Sequence, residues 1–166
     1  MGKKVVWIHA VSVGEVMAIQ KFLEQLIEQA PDYHFVLTTI TPTGQKVAKK
    51  MAEKMNGERM TVCYFPFDMT SCVKSFFKIL GPECLLLAET ELWPNLLMEA
   101  KRARVPVIIL NARLSEKSSR RYQRFHALLH RIFQRLDFVL AQTAQDAKRF
   151  LDLGVGESRI QEEAER

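Results

Sequence analysis

The chain has no GxGxxG after its first apolar run, Val5-Val6-Trp7-Ile8, and no Walker lysine. A self-contained dinucleotide or NTP site is therefore not expected. Cysteine is scarce. Cys63, Cys72 and Cys84 stand far apart with no CxxC, which argues against a disulfide framework and for a reducing compartment. Their ordinary role is that of small buried hydrophobes. His9, His34, His126 and His130 share no ligand spacing with the thiols, and no HExxH glutamate lies between His126 and His130, so no metal site is expected. No stretch approaches the roughly 20 apolar residues that span a bilayer. Met1-Gly2-Lys3-Lys4 runs straight into a strand, so no signal peptide is expected, and Val6 stands where a myristoylation motif needs Ser or Thr. Repeats, low-complexity stretches and internal linkers are absent.

What is present suits one soluble domain: 166 residues, 48% hydrophobic, 26% charged. The net charge of +5 weakly favours anionic partners and is silent about fold. Strand and helix patterns alternate throughout. Strands are expected at Val5–Ala10, His34–Thr39, Val62–Phe65, Cys84–Ala88, Val105–Leu110 and Phe138–Ala141, and Ile160 can open another. Helices are expected at about Glu15–Gln29, from Thr43 to Met55, Thr70–Leu80, Pro94–Arg104, Glu116–Arg135, and from Thr143 to Leu153. This alternation is the signature of an α/β fold with a doubly wound, mainly parallel sheet. The continuous apolar run Cys84-Leu85-Leu86-Leu87-Ala88 reads as a central strand covered on both faces.

The unusual residues gather in the loops that follow strands, which the βα geometry places on one sheet edge, where ligands bind in such folds. Ser12-Val13-Gly14-Glu15 joins the first strand to the first helix. Glu15 suits either a helix cap, because a carboxylate opposes the dipole, or a functional carboxylate on the binding edge. The candidate binding residues are Ser12, Gly14, Thr41, Thr43, Gly44, Glu89, Glu91, Trp93, Asn111 and Arg113. A carboxylate beside an apolar wall can act as a general base on a hydroxyl. Trp93 can supply such a wall, stack on a sugar, or simply pack in the core. Glu89 and Glu91 can equally cap a helix or pair with Arg113. Residues 117–135 carry Lys117, Arg120, Arg121, Arg124, Arg131 and Arg135 opposite an apolar stripe. Such a helix can lie on an anionic membrane, hold phosphates, or present a solvated face over the core. Aromatic residues are not interleaved on the basic face, so nucleic acid is not an expected partner.

Six motifs occur in order: HAVSVGE (9–15), TTITPTG (38–44), PFD (66–68), ETELWPN (89–95), NARLS (111–115) and LAQT (140–143). Together they closely resemble the N-terminal domain of the 3-deoxy-D-manno-octulosonic acid (Kdo) transferases, from Trp7 to about Gly154. The resemblance implies one Rossmann-like half of an inverting, metal-independent GT-B glycosyltransferase. Such an enzyme moves Kdo from CMP-Kdo to a lipid A precursor in lipopolysaccharide synthesis. It implies that Glu15 is the catalytic base, that Glu89 and Glu91 orient the acceptor or support the base, and that CMP-Kdo is held mainly by a C-terminal donor domain. The expected organisation is an acceptor-binding domain over 1–154 and a tail over 155–166 leading to that missing domain, with no cofactor of its own. The family's membrane-anchoring segment before the first strand is likewise not found in these residues. The expected location is the cytoplasmic face of the bacterial inner membrane for the full-length enzyme, with this chain soluble. The basic helix 117–135 would face anionic headgroups. The alternatives are a non-catalytic α/β module that binds an anionic lipid or nucleotide, and an unrelated doubly wound nucleotide-binding protein.

Overall fold

The computed structural model of the chain describes residues 4–162 except Asn56, Glu91 and Phe125; the side chains at 121, 123 and 126–129 also lie outside the description. The strands are β1 (Lys4–His9), β2 (Tyr33–Thr39), β3 (Met60–Tyr64), β4 (Pro82–Ala88), β5 (Val107–Ala112), β6 (Phe138–Ala141) and β7 (Ile160–Glu162). The helices are α1 (Val13–Ala18), α2 (Gln20–Gln29), α3 (Pro42–Lys54), α4 (Thr70–Leu80), α5 (Pro94–Ala103), α6 (Glu116–Arg124), α7 (His126–Phe133) and α8 (Ala144–Asp152). Among the described residues, every strand pairing is parallel, and the sheet order is β3-β2-β1-β4-β5-β6-β7.

The two-residue period of a strand divides the core between the two faces of this sheet. Trp7 points to one face, where it meets Phe65, Phe76 and Phe77, and β4 and β5 send Leu85, Leu87 and Ile109 to the same side. Val6 and Ile8 point the other way, onto Val16, Leu23, Ala48 and Met51 of α1, α2 and α3. Leu85–Ala88 of β4 are fully buried between β1 and β5, as a central strand requires. The thiols of Cys63, Cys72 and Cys84 are half-buried and unpaired with each other, and burial pushes Cys84 up to about 11. At neutral pH that thiol stays protonated and poorly nucleophilic.

Two helices that the sequence pattern joins are divided. The first breaks at Ile19, whose amide is shared between the carbonyls of Glu15 and Met17, tightening one turn before α2 resumes. The 116–135 segment forms α6 and α7, with the expected stripe residue Phe125 lying between them outside the described residues. Of that stripe, Phe133 is buried and meets Tyr122 and Phe150, so this part of the helix pair faces the core. Lys117, Arg120, Arg124 and Arg131 are exposed. β7 forms beside β6, and Val155 just before it is buried, so the sheet's packing continues past Gly154.

The order of the sheet positions the site. The chain passes from β1 outward to β2 and β3, then returns to place β4 on the other side of β1. The crevice outside the carboxyl ends of β1 and β4 is therefore the topological switch point, the usual ligand position in an open α/β sheet.

Candidate active site at the carboxyl edge of the sheet

Glu15 lies beside this crevice in the first turn of α1. Its carboxylate accepts a hydrogen bond from the Val11 amide (2.8 Å) and another from the Ser12 hydroxyl (2.9 Å). Ser12 Oγ in turn accepts from the Glu15 amide at 3.5 Å. This Ser-x-x-Glu exchange is a close variant of the capping box, with the carboxylate reaching one residue further back than the cap. Of the two roles weighed for Glu15, the cap is the one the geometry shows, and it fixes the rotamer of a side chain in a residue only 6% exposed.

Val11 ties this turn to the next. Its carbonyl accepts from the amides of Ile40 (3.2 Å) and Thr41 (3.3 Å) and from Thr41 Oγ1 (3.4 Å). Thr41 also caps α3 by accepting from the Gly44 amide at 3.0 Å. A Cβ on Gly44 would lie 2.8 Å from Thr41 Oγ1 and 3.4 Å from the backbone of Val11 and Ser12. The missing side chain is what lets the two loops touch. Gly44→Ala should therefore displace the Thr41 cap and cost about 1–3 kcal/mol, measured by denaturant unfolding. Gly14 carries no such constraint, because its Cβ would meet only Ser12 Oγ at 3.8 Å. Thr43 is exposed on the first turn of α3.

On the β4 side, Glu89 adopts a left-handed backbone, φ 54°, although it is not glycine. Asn111, at the end of neighbouring β5, does the same at φ 50°. Such backbone costs energy in β-carbon-bearing residues and clusters at functional sites. The Glu89 amide donates to the Leu110 carbonyl at 2.8 Å, and the Thr90 hydroxyl donates to the Arg113 carbonyl, so the two loops are tied side by side. Glu91 lies outside the described residues. Trp93 opens α5, and the start of that helix is clamped from a third segment: Asp68 accepts from the Leu96 amide (3.0 Å) and the Asn95 amide (3.3 Å). Thr70 Oγ1 bonds Asn95 Oδ1 at 3.0 Å.

Trp93 packs against a small aromatic group. Its ring lies 5.6 Å from Phe65 and 6.1 Å from His9, and His9 lies 4.2 Å from Phe65. His9 is fully buried at the end of β1. Thr38 Oγ1 accepts from Trp7 Nε1 (3.0 Å), donates to the Ile8 carbonyl (3.1 Å), and lies 3.0 Å from His9 Nδ1. With the only hydroxyl proton directed at Ile8, this network assigns the imidazole proton to Nδ1 and leaves the lone pair on Nε2. Burial holds the pKa of His9 down at about 4, only partly offset by hydrogen bonding at Thr38.

Arg113 is exposed at the rim of a cavity of about 380 Å³ lined also by Glu89, Thr90, Ser115, Ser118 and Tyr122. The backbone beside it is pinned from α8. Asp146 accepts from the Leu114 amide at 2.9 Å and from the Thr143 hydroxyl at 2.7 Å, while Arg149 donates to the Leu114 carbonyl at 2.6 Å. A buried carboxylate and its guanidinium partner thus hold both polar groups of one loop residue.

The structure therefore brings Ser12, Glu15, Thr41, Gly44, Glu89, Trp93, Asn111 and Arg113 to one edge. His9 and Asp68 fall within motifs of the sequence but carry no expected role there, and Phe65, Asp146 and Arg149 fall outside every motif. Thr143-x-x-Asp146 was legible as a capping pattern. Neither the motif position of His9 nor the strand position of Phe65 points to Trp93, since only the fold brings the three rings together. Among the described residues no group of three or more His, Cys, Asp or Glu side chains could hold a metal ion, and no helix is long and apolar enough to cross a membrane.

Comparison with known proteins decides the family. A family model described as 3-deoxy-D-manno-octulosonic-acid transferase (kdotransferase) matches residues 1–163. The chain belongs to the Kdo transferase family. The 3-deoxy-D-manno-octulosonic acid transferase of Haemophilus influenzae is 33% identical over 155 residues, covering 93% of this chain and 35% of that protein. The Bordetella pertussis enzyme of the same name is 34% identical over 150 residues, covering 90% and 35%. The chain thus spans about a third of the length of these relatives and corresponds to the N-terminal domain of the family. Its Rossmann-like fold also occurs in Anabaena HepE in complex with UDP and glucose (TM-score 0.67, 11% identity, 96% of this chain and 43% of that one). It occurs again in UDP-GlcNAc 2-epimerase from Neisseria meningitidis bound to UDP-GlcNAc (TM-score 0.62, 12% identity, 95% and 45%).

Proposed function

We propose that this Kdo transferase domain is the acceptor-binding half of an inverting GT-B enzyme that moves Kdo from CMP-Kdo to a lipid A precursor. The observation that carries this reading is the carboxylate of Glu15, held by Val11 and Ser12 beside the switch point of a family member's sheet. In this mechanism Glu15 takes the proton from an acceptor hydroxyl. The hydroxyl oxygen forms its bond to the anomeric carbon of Kdo, and the bond to CMP breaks on the opposite side. In this reading a C-terminal donor domain holds the CMP-sugar. Rate in such a transfer depends on holding both substrates together, so this domain alone supplies binding and a base.

The reading is tested by fusing the chain to the C-terminal portion of the Haemophilus influenzae relative and assaying transfer from CMP-Kdo to a lipid A precursor. The fusion should transfer and the chain alone should not. Transfer by the chain alone, or none by the fusion, contradicts it.

Membrane contact is proposed for the exposed cations of α6 and α7. A basic residue near an anionic surface contributes about 1 kcal/mol. Neutralising Arg120, Arg124 and Arg131 together should weaken association with anionic vesicles about a hundredfold at low salt. Unchanged association, measured by vesicle co-sedimentation, would assign that face to solvation.

A further inference from the structure

We propose that His9 and Trp93 together seat one hydroxyl of the acceptor sugar at the switch point between β1 and β4. This rests on the acceptor-domain reading and extends it to two residues that reading does not use together. His9 Nε2 and Trp93 Nε1 are both buried, and neither has a hydrogen-bond partner among the described residues. Buried polar atoms are rarely left so, because each costs free energy when unpaired.

The two atoms are complementary. The network around Thr38 makes His9 Nε2 an acceptor, and an indole nitrogen is only ever a donor. Their rings lie 6.1 Å apart at 74°, in one aromatic group with Phe65. One hydroxyl oxygen satisfies both: it accepts from the indole and donates to the imidazole. The aromatic faces of Phe65 and Trp93 suit the C–H face of a sugar ring beside that hydroxyl.

Neither nitrogen touches solvent in this conformation. Entry therefore requires the Trp93 ring, at the start of α5, to turn away from His9. The cavity beside Arg113 is lined by Glu89 and Thr90, a few residues before Trp93 in the chain.

The test uses the indole N–H signals of the 166-residue chain, which has two tryptophans. Trp93→Phe assigns them, and Trp7, bonded to Thr38, serves as the internal reference. The probe is a lipid A precursor in mild detergent, set against detergent alone. The expected result is a downfield shift of the Trp93 indole proton with lipid only, while Trp7 stays in place. His9→Phe and Trp93→Phe should each weaken lipid binding about tenfold, the effect of one hydrogen bond to a sugar. Lipid-induced shifts at residues 12–15 with an unmoved Trp93 indole would overturn this proposal and leave the acceptor reading standing. A Trp93 shift with detergent alone would overturn it as well. No lipid-induced shift anywhere would overturn the acceptor reading and this proposal with it.

Discussion

Glu15→Gln should lower transfer by about 10²–10⁴-fold in the fusion that carries a donor domain, the range that a positioned general base contributes. Glutamine is the informative substitution. Its carbonyl can still accept from the Val11 amide and its amide can face Ser12, so the start of α1 keeps its cap. Glu15→Ala should lose the base and also strand the Val11 amide, now bonded at 2.8 Å, at a cost of about 1–3 kcal/mol in stability. The pair separates chemistry from folding: glutamine moves the rate alone, and alanine moves rate and unfolding midpoint together. Full turnover by the glutamine variant would remove Glu15 from the role of base.

The second large effect is on stability in acid. His9 is neutral in the folded chain, with a pKa lowered from 6.5 to about 4, first by burial. The unfolded chain therefore binds a proton between those values that the folded chain does not. Stability rises with pH wherever the unfolded state holds more protons. His9 thus contributes no penalty above pH 6.5, and an increasing one as pH falls toward 4. The loss amounts to about 3 kcal/mol, from about 1.4 kcal/mol per pKa unit. His9→Asn keeps a donor toward Thr38 and carries no titration. Urea unfolding of the two proteins from pH 7 to pH 4 should give curves whose difference grows with acidity by that amount. Parallel curves would mean that His9 charges without cost.

The parts of the fold legible in the sequence were those set by local chemistry. Thr70–Leu80 and Phe138–Ala141 appear at the expected bounds, because Gly81 and the flanking polar residues punctuate them. The break at Ile19 was not legible. Its apolar period runs on unbroken, while the kink depends on how α1 and α2 each meet the sheet. The same distinction governs the site. Thr143 announces a helix start from sequence alone and caps it, whereas α3 starts one position earlier than expected, capped by Thr41 with Pro42 as its first residue rather than by Thr43. By contrast, the loop of Arg113 is held by Asp146 and Arg149, more than thirty positions away. The group of His9, Phe65 and Trp93 joins the ends of β1 and β3 to the start of α5, segments that only the fold makes neighbours. The motifs PFD and WPN proved to be two sides of one contact, since Asp68 caps the helix that Pro94 and Asn95 begin.

Titration of the 166-residue chain with a lipid A precursor in mild detergent, and separately with CMP, tests the central claim most directly, with backbone amide shifts as the readout. The acceptor-domain account predicts shifts at residues 12–15 and 89–95 with the lipid and none with CMP. Tight binding of CMP with the lipid ignored would contradict it, and would make this domain the donor half.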